Sequence, residues 1–115
     1  MALLRNANTG EIVATRVQPA ASWVERAIGL LTRREVRPDE GLWIEPCSAI
    51  HTIGMRVPID VIFLDKAKRI IRMHSKVPKW RWAIVCWKAH SVIELGSGAL
   101  QQTDLLPGDC LELVH

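Results

Sequence analysis

A chain of 115 residues, 49% hydrophobic and 23% charged, carries enough apolar side chains for one packed core and is neither disordered nor fibrous in composition. Its longest wholly apolar run, WAIVCW from Trp82 to Trp87, is far below the roughly 18 residues of a transmembrane helix. A net charge of +3 is too modest for a dedicated nucleic-acid binder.

The opening MALLRNANTGE shows no basic start followed by an apolar stretch and cleavage site, so no export signal is read and the cytoplasm is the expected compartment. ALLR, the turn-rich NANTG and the alternating EIVATRV predict a β-hairpin. Ser22 with Glu25 then forms a capping box, each side chain suited to the other's free backbone amide, and Val24, Ala27, Ile28 and Leu31 follow at helical spacing. One short helix is expected near residues 23–31, with its apolar stripe on a sheet. RREVRPDEG reads as a polar connector.

Beyond the connector, LWIE, VPIDVIFLD, RIIRMH, HSVIEL and CLELV are short and rich in branched and aromatic residues, with the turns DKAK, GSG and LPGD between them. That spacing predicts a mainly β fold, an antiparallel sandwich or a barrel, in which VPIDVIFLD is a central strand covered on both sides. No linker divides the chain, so one domain is expected over residues 1–115.

Known catalytic signatures are missing: there is no GxSxG elbow, phosphate loop, HExxH pair or dinucleotide fingerprint. Cys47, Cys86 and Cys110 are odd in number and widely spaced, which fits three buried thiols rather than a disulfide framework or zinc knuckle. The densest polar constellation is PCSAIHTIGMRVPID, which sets Cys47, His51 and Met55 four apart and Asp60 beyond them. Residues four apart on an extended chain are separated by about 13 Å, so these three are not expected to converge on one ion, and neither metal nor cofactor is expected.

Asp60 lies within an apolar strand, where an acid is costly to bury unless it is paired or accepts backbone hydrogen bonds. One reading makes it structural, tying a loop or pairing with Arg56 or Arg26. The other brings Asp60, His51 and Glu94 into one cleft, where two carboxylates and an imidazole could perform acid–base chemistry or hold a ligand.

Charge is segregated along the chain. Residues 66–93 hold eight basic side chains and no acid, which leaves seven basic against twelve acidic residues elsewhere, or +8 against −5. Arg72, Lys76, Lys79, Arg81 and Lys88 are the candidates for a one-sided positive surface, interleaved with Trp80, Trp82 and Trp87. A solvated face is the plainer alternative.

ERAIGLL, EGLWI, IHTIGMRVPIDVIFLD, VIELGSG and the late PGD, taken in that order, resemble an uncharacterised bacterial and archaeal family, the domain of unknown function 192. The resemblance implies a β-sandwich of jelly-roll type with a small helical element, and no established reaction. Its family-like polar positions here are His51, Met55, Asp60, Glu94 and Asp109. The combined expectation is a small non-catalytic binding or accessory domain for a small molecule or protein, with a polar cleft near His51, Met55, Asp60 and Glu94. The alternatives are an enzyme using His51 with Asp60 or Glu94, and a weak binder of anionic partners through residues 66–88.

Overall fold

The computed structural model describes residues 2–20, 35–50, 57–79 and 84–115. The helix expected near residues 23–31 lies outside them. Within them the chain is mainly β: β1 (Ala2–Asn6), β2 (Ile12–Ala20), β3 (Glu40–Ile44), β4 (Ala49–Ile50), β5 (Ile59–Leu64), β6 (Ile70–Val77), β7 (Ile84–Val85), β8 (Ser91–Gly96) and β9 (Leu111–Val114). The described helical element is one 3-10 turn, Leu100–Gln102.

Seven strands form a single sheet in the order β6-β5-β8-β3-β2-β1-β9, while β4 and β7 make a separate two-stranded ribbon. All neighbours in the large sheet are antiparallel except β2 and β3, which run parallel. The outer strands do not stay apart. Arg69, just before β6, bridges Cys110, just before β9; the Ile70 amide donates to the Asp109 carbonyl at 2.9 Å, and the Leu111 amide to the Lys68 carbonyl at 2.9 Å. The sheet therefore rolls until its edges touch, which satisfies backbone groups that two open edges would leave unpaired.

The mainly β expectation holds; the described strands form one rolled seven-stranded sheet and a two-stranded ribbon, an arrangement that does not single out a jelly-roll sandwich. Short alternating strands suit sandwich and barrel equally, and the long-range pairing of residues 68–70 with 108–111 chooses the rolled form here.

Rolling creates two apolar layers. The inner one contains Leu4, Val17, Trp43, Ile62, Ile93, Leu95 and Leu111; the outer one contains Leu42, Ile44, Val61, Phe63, Val77 and Val92. Successive strand residues face opposite sides, so a strand serving both layers must be apolar at nearly every position. IDVIFL is such a strand, buried throughout and flanked by β6 and β8. SVIELG of β8 is likewise buried at every residue.

Candidate functional site

Asp60 is wholly inaccessible to solvent, and both its carboxylate oxygens are used: Oδ1 accepts the Lys76 amide and Oδ2 the Leu100 amide, each at 2.8 Å. The first bond has a local cause. Ile59 pairs with Val77 and Val61 with His74, so two residues of β6, Ser75 and Lys76, oppose Asp60 alone. Such a bulge turns a backbone amide away from the ladder, and Lys76, with φ of 51°, presents its N–H to the carboxylate. The second bond hangs the 3-10 turn from the same side chain. Ala99 and Leu105 join the inner layer on either side of that turn, so Asp60 anchors a plug across one end of the rolled sheet. The residue joins a loop, as its structural reading holds, through backbone amides.

Glu94 is also fully buried, yet it faces the other way. Asp60 pairs with Leu95 of the inner layer, whereas Glu94 pairs with Val61 on one side and Leu42 on the other, both of the outer layer. Paired residues share a face, so the two carboxylates stand on opposite sides of the sheet. The expected cleft uniting Asp60 with Glu94 is thereby corrected: the β5–β8 register does not bring them together. His51 and Met55, like Arg26, Arg56 and Arg81, lie outside the described residues.

Asp109 is a third acid with local duties. Its Oδ2 accepts the Asn6 side-chain amide and the Leu106 backbone amide, both at 3.0 Å, and so fastens the LPGD turn to β1. Of the cysteines, Cys86 is buried, while Cys47 and Cys110 are only half-buried; their thiols donate to the carbonyls of Ala49 and Ala67 at 3.1 and 3.2 Å. Burial of all three thiols is thus corrected to one. Among the described residues no three His, Cys, Asp or Glu side chains cluster as a metal site would require. No helix among them is long and apolar enough to cross a membrane.

The acid-free segment keeps its charges in water. Lys66, Lys68, Arg69, Arg72, Lys76, Lys79 and Lys88 are all exposed, from the β5–β6 turn along β6 to the turn before β8, and Trp87 is 89% exposed.

Sequence reasoning missed a cavity of about 620 Å³ at the end of the sheet away from the Asp60 plug, bordered by Trp43, Lys68, Glu45 and Leu113. They come from β3, the β5–β6 turn, the segment after β3 and β9, so no local motif announces them. The isolated signal was Lys68 itself, a lysine at the turn position where glycine or asparagine is usual.

The fold is thus that of a rolled mixed β-sheet, plugged at one end and open at the other, with acids that serve mainly as ties. The profile of the family described as Uncharacterized ACR, the domain of unknown function 192, matches residues 4–113, and the chain belongs to that family. It is similar to the UPF0127 protein PF1050 of Pyrococcus furiosus, with 27% identity over 113 residues that cover 93% of this chain and 94% of the relative. Among solved structures, a protein provisionally described as a transcription regulator from Sinorhizobium meliloti superposes with a TM-score of 0.80 at 24% identity, covering 97% of this chain and 91% of that one. A protein of unknown function from Novosphingobium aromaticivorans superposes with a TM-score of 0.78 at 20% identity, covering 96% and 82%. At these identities the two structures attest the fold.

Proposed function

We propose that the chain is a small non-catalytic binding or accessory domain, with ligand contacts from Glu94 on the outer face together with His51 and Met55, and with Asp60 and Asp109 as scaffold. The observation that carries this reading is the sealed state of Asp60. A general base must present a lone pair to its substrate, whereas Asp60 has no exposed surface and holds two backbone amides at 2.8 Å. Pairing of His51 with Asp60 as acid and base therefore loses its support. Glu94, on the opposite face, is a second fully buried carboxylate, and its place inside an apolar layer is a costly one of the kind that also occurs at functional sites.

The test is a melting screen of wild type and Glu94→Gln against small molecules, with each compound re-examined by NMR after incubation. A compound that stabilises wild type by about 2.7 kcal/mol at roughly 100 times its Kd, fails to stabilise Glu94→Gln and is recovered unchanged is the expected result. Turnover of any compound that vanishes in Asp60→Asn while the fold persists would overturn the reading.

A second reading is favoured by the exposure of every described cation of the 66–88 segment: weak association with an anionic partner. Heparin titrations of wild type and of the triple variant with Lys76, Lys79 and Arg81 changed to Gln are expected to show binding that weakens steeply with salt and is lost in the variant. Equal weak binding by both proteins would reduce the segment to ordinary solvated surface.

A further inference from the structure

The open end of the rolled sheet is a cavity in the size range of small-molecule sites, about 620 Å³. Its apolar wall is the Trp43 indole with Pro19 and Leu113, and its polar rim includes Lys68, Glu45 and Glu112. Trp43 belongs to the inner layer, is only 4% exposed, and keeps its indole nitrogen buried without a hydrogen-bond partner.

The rim charges are not equivalent. Glu112 is ion-paired with Arg5, whose Nε donates to Oε1 at 2.8 Å, and Glu45 holds Nε2 of His90 at 3.1 Å. Lys68 has no carboxylate within 4 Å among the described residues; its ammonium stands 5.9 Å from the centre of the Trp43 ring, within reach of a cation–π attraction. Lys68 is therefore a rim cation without a carboxylate in contact, and it sits beside an aromatic face.

Lys68 also occupies a conformation that lysine does not favour. The turn from Asp65 is closed by the Lys68 amide donating to the Asp65 carbonyl at 3.0 Å, and Asp65 Oδ1 accepts the Ala67 and Arg69 amides at 2.8 and 3.0 Å. This arrangement places Lys68 at φ of 65°, in the left-handed region that suits glycine. A side chain kept where its backbone is strained, and held over the cavity, is an observation that runs toward function.

We propose that this open end is a binding site for a flat aromatic carboxylate, its ring against Trp43 and Leu113 and its carboxylate on the Lys68 ammonium. The residues that line the site do not include Glu94, so the two sites can fail independently. Ring and charge are both required: the wall rewards a planar apolar body, and the rim's free cation rewards an anion.

The probe is 1-naphthoate, compared with the uncharged 1-naphthamide and with acetate, which lacks the ring. Binding is followed by calorimetry and by the NMR shift of the Trp43 indole N–H. Naphthoate is expected to bind with a Kd below about 1 mM, with naphthamide and acetate at least roughly tenfold weaker. Lys68→Gly should weaken naphthoate by about tenfold or more while melting at the same or a higher temperature, because glycine relaxes the turn. Lys68→Arg should retain binding, and Glu94→Gln should leave it unchanged. No binding up to about 10 mM, naphthamide matching naphthoate, unaltered affinity in Lys68→Gly, or shifts confined to the neighbours of Glu94 would each overturn the assignment.

Discussion

Replacing Asp60 with alanine is expected to lower stability by about 2 to 4 kcal/mol. Two backbone amides, those of Lys76 and Leu100, would lose their acceptor together. One belongs to a bulge that cannot rejoin the ladder, and the other starts the 3-10 turn that plugs the sheet, so neither regains a backbone partner by a small shift. Asp60→Asn keeps one carbonyl oxygen but turns an amide NH2 toward the other donor, and should recover only part of the loss. Urea denaturation of the three proteins checks this: the midpoint should fall in the order wild type, Asn, Ala, with a similar slope. Unchanged midpoints would mean that Asp60 is not the tie between β5, the bulge and the plug.

Gly96→Ala should cost about 3 kcal/mol, the upper part of the range for overpacking a close contact. A Cβ at that position would stand 2.1 Å from the Arg37 carbonyl oxygen and 2.4 Å from that of Val36. Both obstacles are backbone, and neither can swing aside as a side chain would. The Arg37 carbonyl also accepts the Glu40 amide at 3.0 Å at the entry to β3, so displacing it disturbs the centre of the sheet. Gly98 offers a contrast two residues on: its φ of 101° makes alanine strained, yet the nearest atom is the Pro38 ring at 3.8 Å. Gly98→Ala should therefore cost nearer 1 kcal/mol, through backbone conformation alone. Thermal unfolding of the two variants separates the causes. Equal small losses would show that the 35–37 segment yields to β8 and that the close approach is not rigid.

The buried acids divide the candidate site in a way that bears on other members of this family. An acid within an apolar strand invites a catalytic reading, but the number of backbone donors it already holds is the better guide. Asp60 accepts two backbone amides from other elements, and Asp109 accepts one amide from its own turn and one from Asn6 of β1, so their replacement should be read first as a change in stability.

By itself the sequence determined where strands form. Alternating or wholly apolar runs of branched residues, interrupted by NANTG, DKAK, GSG and LPGD, yield β1, β2, β5, β6, β8 and β9 close to their expected places, because strand propensity and turn chemistry act over a few neighbouring residues. It also determined that Asp60 would be hydrogen-bonded, since an unpaired acid in IDVIFL would be too costly, and that the described cations of residues 66–88 would reach water. What it could not determine was which face each strand residue would take. A shift of one residue in the β5–β8 register would exchange the faces, and the register observed, Asp60 with Leu95 and Val61 with Glu94, sends the two acids apart. The contact of Arg69 with Cys110 that rolls the sheet, and the meeting of Trp43, Lys68 and Leu113 at its open end, likewise depend on pairings between distant segments. Those pairings arise when the whole chain buries two apolar layers at once, and only the tertiary structure decided them.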